Sequence, residues 1–402
     1  MIVRAFVRTW LVIGLGGLAA AAYGGPVNPP AGPVGPTYKT LSEVQPRRPV
    51  QSLPGDATTQ HIISQPGSYY LTGDIVGVSG KSAIRITSDR VTLDLCGFTV
   101  RGVEGALHGI HIMSRSEITI GDGILTGWPQ TSIEAGTSTH VRLERLRVSG
   151  SGKSGLSAGW GAMVIECEAW QNADYGIFTN NDSIVERCKS SSNGIDGFRT
   201  GHNSVVAGCI SGHNGGDGFL LGSSMVVSGC MATSNVGVGL RAEDNLTLSG
   251  STFSGNLAGG VLANSAATIT SCTFTGNTYF GLKTQGASAL VSGCTARGNH
   301  GDGINVNSMS TVMACLVQQN QRSDPPGAGV RFTGQGNRAD SNSLVGNGIG
   351  ILMVTSGNLV VRNSFSFNPQ RIQGENGNNV AAMVVTPGVG FNNSNPWANF
   401  AH

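Results

Sequence analysis

Residues 208–219 read GCISGHNGGDGF, which puts a thiol, an imidazole and a carboxylate on a glycine-rich backbone. Those residue types could ligate a metal, cradle a phosphate or move protons. Two other sets invite a chemical reading. Arg85, His111 and Glu134 supply a cation, an imidazole and a carboxylate, a combination suited to general acid–base catalysis once a fold brings them together. Asp196 and Asp217 each precede a glycine, and two carboxylates about 5 Å apart are the arrangement of a retaining glycosidase. Which of these residues become neighbours depends on the elements that carry them.

Those elements repeat. Asparagines stand at 172, 193, 214, 235, 256, 277, 299 and 320, a spacing of 21 residues with a single 22. Glycines followed by an apolar residue keep the same beat from Gly155 to Gly303, and so does a third column: Cys167, Cys188, Cys209, Cys230, Ser251, Cys272, Cys294 and Cys315. Each unit reads N-x-x-x-G-Φ-x-Φ, a polar stretch, then V-x-x-C-x-Φ-x-x-N, where Φ is apolar or small. The alternation after the glycine has period two, so it predicts a short strand with one face inward. No segment between units has helical length or periodicity. Short strands joined by Asn/Gly turns every 21 residues describe the coils of a parallel β-solenoid, each pairing with its neighbours at a strand spacing of about 4.8 Å. The apolar position runs from Ile84, Ile110 and Ile133 to Val330 and Ile351, which predicts 13 coils.

The columns then have physical roles. Asparagine tolerates a left-handed turn and can stack its amides from coil to coil. The cysteine slot points inward, where a thiol packs as a small hydrophobe, and side chains stacked in parallel are poorly aimed for disulfides. In GCISGHNGGDGF, Cys209, Asn214, Gly218 and Phe219 belong to these columns, leaving His213 and Asp217 unassigned.

Outward positions remain for function. The residue after each Φ gives the column Arg85, His111, Glu134, Ser157, Phe178, Arg199, Leu220, Arg241, Leu262, Lys283, Asn305, Arg331. Its first members form a candidate catalytic set. From Phe178 onward, cations alternate with apolar residues, a pattern suited to an acidic glycan or simply to a soluble face. Asp196 and Asp217 would stack one coil apart, either as paired acids or as ordinary Asp-Gly turns. The segment NQRSDPPGAG, residues 320–329, adds five residues to its coil and places Arg322 and Asp324 on an insertion, the kind of feature that marks a working face.

The rest of the chain sets the context. Residues 1–22 carry Arg4 and Arg8, an apolar stretch and Ala20-Ala21-Ala22, the pattern of a signal peptide. Removing them leaves 23 basic and 23 acidic residues, a neutral balance that argues against nucleic acid as a partner and leaves no membrane span. Residues 23–55 are a proline-rich arm, 56–380 the solenoid and 381–402 a C-terminal cap in which Trp397 and Phe400 fold over the last coil. HIISQPGSYYLTGDI, residues 61–75, is expected to cover the first coil.

This body resembles the right-handed parallel β-helix superfamily, the pectate-lyase-like fold, over roughly residues 60–380. It is most similar to secreted β-helix repeat proteins built on N-x-x-x-G-Φ coils. The resemblance implies an all-β, single-stranded right-handed β-helix with terminal caps. It also implies a carbohydrate partner, since known activities of the superfamily are polysaccharide lyases, glycoside hydrolases, epimerases and phage-tail carbohydrate-binding modules. The superfamily's catalytic signatures do not occur: the chain has no Asp-Asp dipeptide, no Gly-His-Gly, no Asp-Pro-His-Glu and no Arg-x-Pro-x-x-Arg. No His/Met/Cys group stands outside the ladders at metal-ligand spacing, so neither metal nor cofactor is expected. The expectation is therefore a secreted, periplasmic or cell-surface protein that binds a polysaccharide or serves as a structural element. Candidate ligand contacts are Phe178, Arg199, Arg241, Lys283 and Arg322. A polysaccharide lyase or hydrolase with an atypical site is the alternative.

Overall fold

The computed structural model describes residues 47–321, 326–385 and 395–402. The signal-peptide stretch, most of the proline-rich arm, Arg322 and Asp324 lie outside the described residues. The body is an all-β parallel solenoid of about 16 turns. Each turn contributes one strand to each of three stacked ladders, here called sheets 1, 2 and 3 in the order the chain visits them. One regular turn runs through Phe219–Leu221, Val226–Ser228 and Met231–Thr233, and each strand pairs in parallel with the strand 21 residues later.

Three more turns are present than the 13 predicted, because the ends also form rungs. Arg47–Pro49, within the stretch expected to be an arm, starts sheet 2 by pairing with Gly67–Tyr70. Thr59–Ile63 starts sheet 1, so the segment expected to lie over the first coil supplies rungs itself. At the other end, Asn399–Ala401 enters sheet 3 out of sequence order, between Ser364–Ser366 and Met383–Val385. Trp397 stays half exposed, with the Arg362 guanidinium 5.1 Å from its ring centre. These rungs lack the N-x-x-x-G signature, so their spacing did not reveal them.

The asparagine column is a buried hydrogen-bond ladder. Oδ1 of Asn214 accepts both the backbone N–H and the side-chain Nδ2–H of Asn193, each at 3.0 Å. Asn235 does the same for Asn214 at 3.1 and 2.9 Å, and the chain of amides runs from Asn172 to Asn368. The left-handed residue is not the asparagine. It is the residue just before it, as at Gln171, Ser192, His213 and Ser234, with φ of 54° to 57°. The chain turns there so that the asparagine side chain can point inward along the stack. His213 of GCISGHNGGDGF is such an exposed corner residue. The glycine column answers to space instead: a Cβ on Gly197 would collide with Ser211 Oγ and stand 2.8 Å from the Gly218 carbonyl oxygen.

The thiols are free in all eight positions, seven of them buried. Each ladder thiol donates to nearby carbonyls, as Cys188 Sγ does to Glu186 O at 3.2 Å. Phe198 and Phe219 stack inside the rod with ring centres 4.8 Å apart.

Two outcomes follow from this core. Asn235→Ala removes the acceptor of two buried donors on Asn214, each worth about 1–3 kcal/mol when orphaned, so the thermal midpoint should fall clearly. Thr252→Ala, on an outward position one turn further on, should leave it nearly unchanged. Denatured, unreduced protein should titrate as eight thiols; a shortfall in pairs would reveal disulfides between rungs.

Candidate functional site

Sheet 1 presents one outward column, and a second, mostly buried column lies just before its strands. The first is the one expected from the sequence, and its register is continuous: Arg85 lies beside His111, His111 beside Glu134, and Glu134 beside Ser157. The order continues through Phe178, Arg199, Leu220, Arg241, Leu262, Lys283, Asn305 and Arg331. The second column lies three residues earlier on each rung and holds His108, Thr131, Ser154, Tyr175, Asp196 and Asp217.

The early rungs bring together more than the sequence suggested. His108 and His111 stand with ring centres 4.9 Å apart. His108 Nδ1 lies 3.1 Å from the Thr131 carbonyl, which can only accept, so Nδ1 carries the proton and the neutral ring keeps Nε2 as its basic nitrogen. Burial pushes both imidazoles below the ordinary histidine value. His108 also lowers His111, while the Glu134 carboxylate raises both. Glu134 is fixed by the Ser157 hydroxyl at 3.1 Å and the Gly136 N–H at 3.0 Å, both donating to Oε1. Arg85 binds Asp56 and donates to Thr58 Oγ1 at 3.2 Å, and its buried Nε has no hydrogen-bond partner among the described residues. The cluster therefore sets two imidazoles, whose charged form burial disfavours, beside an oriented carboxylate.

The middle rungs combine a cation with aromatic and apolar side chains on one face. Arg199 donates to the Tyr175 hydroxyl at 2.5 Å, and its guanidinium stands 5.2 Å from the Tyr175 ring centre and 5.9 Å from that of Phe178. Phe178, Arg199 and Leu220 form one wall of a groove of about 280 Å³; Asn181, His202 and Glu243, on the corner leading to sheet 2, line the other. His202 Nδ1 accepts the Ser223 N–H at 2.9 Å, which leaves its Nε2–H for a ligand.

Asp196 and Asp217 are stacked, and their carboxylates serve the backbone. Asp196 Oδ1 accepts the Asp217 N–H at 2.7 Å, and Asp217 Oδ1 accepts the Val238 N–H at 2.6 Å. Asp217 also binds Arg241 at 2.6 Å, a pairing repeated by Asp302 and Arg331 at 2.6 Å. Asp196 has no such cation one rung on, since Leu220 stands there. Burial raises its pKa above the usual carboxylate value; the Asp217 amide opposes the rise and the Asp217 charge adds to it. Arg241 is thus partly occupied, whereas Lys283 lies between Leu262 and Asn305. Among the described residues, no group of three His, Cys, Asp or Glu side chains is placed to hold a metal.

His108, His202 and Glu243 were missed by the sequence reading. His108 occupies the position before the glycine slot, the one that also carries Tyr175, Asp196 and Asp217, and that shared position was the available signal. The family model described as the right handed beta helix region matches residues 108–244 and 226–366.

The chain belongs to the right-handed β-helix family.

Solved structures are similar to this chain. The mannuronan C-5 epimerase AlgE6 A-module of Azotobacter vinelandii is 15% identical, with a TM-score of 0.49, 79% of this chain covered and 91% of that one. The pre-mature gene product 12 of bacteriophage phi29 is 11% identical with a TM-score of 0.57; 81% of this chain and 56% of that one are covered. No curated protein matches this sequence. At these identities the likeness is one of backbone architecture, so the side chains described above must carry any functional reading of this β-helix.

The histidine pair gives a pH test. Because the folded state lowers both imidazole pKa values, it gains stability from them above the ordinary histidine value and loses it as pH falls through the folded values. NMR titration should show both rings titrating below the ordinary histidine value. Glu134→Gln should lower both further, because it removes the charge that raises them.

Proposed function

We propose that this β-helix protein is exported and holds an extended, carboxylate-bearing polysaccharide along the outward face of sheet 1, without transforming it. The observation that carries this reading is the in-register alternation Phe178, Arg199, Leu220, Arg241, Leu262, Lys283 on successive rungs. Cations on alternate rungs stand about 10 Å apart, two strand spacings, with an apolar surface between them. Sugar rings offer apolar faces and carboxylates at regular intervals, so such a surface meets both. Export is supported by the signal-peptide pattern of residues 1–22, which points to a secreted, periplasmic or cell-surface setting. No helix among the described residues is long and apolar enough to cross a membrane.

Calorimetric titration with polygalacturonate, alginate and hyaluronan oligomers tests the reading. At least one should bind, and more weakly as salt rises. Arg199→Ala and Lys283→Ala should each cost roughly ten- to a hundredfold, since a charge-assisted hydrogen bond contributes about 1.5–3 kcal/mol. Binding to none of the three would overturn it.

A catalytic reading is favoured by one observation, the His108–His111 pair beside Glu134. It requires new unsaturated or reducing ends to appear with these polymers and to vanish in His111→Ala. Their absence from wild-type digests, with binding intact, leaves the binding role.

A further inference from the structure

A second groove lies away from sheet 1, on the corner between sheets 2 and 3 and along the outward face of sheet 3. It begins as a cleft of about 570 Å³ lined by Asp122, Arg145, Arg147, Glu166 and Glu168, and continues past Glu168 into a cleft of about 270 Å³ lined by Trp170, Lys189 and Ser191. Its charges differ from those of sheet 1. Asp122, Glu166 and Glu168 balance Arg145, Arg147 and Lys189, so the groove has no net preference for an anion.

The two ends of the groove have different freedom. Arg145 is fixed by Asp122 at 2.6 and 2.8 Å, and Glu166 by Arg187 at 3.0 Å. Arg147 and Glu168 form a looser ion pair at 3.7 Å, with Arg147 exposed and Glu168 half-exposed, and Lys189 is exposed on the next rung. Beside them Trp170 projects outward from its strand. Its neighbours across the sheet are Ser149 on one rung and Ser191 on the next, followed by Gly212. A large, half-buried aromatic ring therefore rises from a lane of small residues, with the loosely paired Glu168 and the exposed Lys189 at its edge. Flat apolar surface flanked by a few donors and acceptors is what a sugar ring requires, and a charge-balanced rim suits an uncharged one.

We infer that Trp170, with Glu168 and Lys189, forms a second carbohydrate site that takes a neutral or N-acetylated oligosaccharide, and that the rod bridges such a glycan to the acidic one on sheet 1. The site itself needs no contribution from sheet 1; the bridging role rests on the function proposed above.

Cellohexaose, xylohexaose, mannohexaose and N-acetylated chitohexaose are titrated into ¹⁵N-labelled protein, reading the Trp170 indole N–H, assigned with Trp170→Phe. One of the four should shift it in a saturable way. Measured by calorimetry, Trp170→Ala should weaken that binding at least tenfold, and Lys189→Ala less, while Phe178→Ala and Arg199→Ala leave it unchanged. Trp170→Ala should in turn leave binding of the carboxylated polymer intact, so the two faces fail separately. If Trp170→Ala unfolds, judged by circular dichroism, Lys189→Ala and Trp170→Phe carry the comparison. The site is overturned if none of the four hexamers shifts the indole, or if a carboxylated oligomer displaces the neutral one. Wild-type protein should thicken a mixture of the two polymers where neither single-face variant does; no thickening despite binding at both faces overturns the bridging role.

Discussion

One side-chain oxygen per turn sets the geometry of this rod. From Asn193 onward, Oδ1 of each ladder asparagine accepts the backbone N–H and the side-chain N–H of the asparagine one rung earlier, inside a region closed to water. Failing to meet either donor there is costly, whereas meeting both requires the rungs to align in one register. The constraint acts at the slot and not on the length of the coil. Asn277 meets Asn299 after 22 residues, and Asn320 meets Asn347 after 27, with the same two bonds. Insertions such as NQRSDPPGAG are accommodated because the chain needs only to return to the slot.

The neighbouring ladder shows the same geometry filled by different chemistry. The N–H of Cys167 faces Cys188 Sγ at 3.4 Å, that of Cys230 faces Ser251 Oγ at 3.0 Å, and that of Cys315 faces Asn342 Oδ1 at 3.0 Å. Thiol, hydroxyl and amide thus serve one position as acceptors of decreasing softness. A thiol that also donates to a carbonyl must keep its proton, and burial pushes the Cys167 thiol up accordingly. The ladder cysteines are buried and each donates to a carbonyl, which suits them to packing and hydrogen bonding.

Sequence revealed what repeats and concealed what does not. The turn spacing, the inward columns and the outward column from Arg85 to Arg331 were all legible, because a solenoid converts a fixed separation in sequence into a contact. The end rungs were not, since Arg47–Pro49 and Asn399–Ala401 pair without the repeat's signature, the latter out of order. The turn chemistry was also misplaced by one residue. Asparagine's tolerance of the left-handed region pointed to Asn193 and Asn214, yet Ser192 and His213 adopt it. Stacked hydrogen bonding had the stronger claim on the amide. His108 escaped notice because its partner is His111 on the same rung, and a search along one column does not compare columns.

Because register is fixed by buried groups, outward residues are free to vary without disturbing the stack, and this separation bears on what kind of function each cluster can have. Residues two rungs apart lie far enough from each other for their contributions to add. A face that repeats a cation and an apolar residue over six rungs therefore gains affinity with each further ligand unit it meets, as linked weak contacts do. A proton-transfer centre gains nothing from length, because its reach ends with the groups that touch the reacting atoms. The His108–His111–Glu134 cluster spans two rungs, whereas the alternation from Phe178 to Lys283 spans six. Dependence on ligand length is thus a physical signature that separates the two clusters: binding that strengthens steadily from dimer to hexamer belongs to the long face, and an effect complete at the dimer belongs to the histidines.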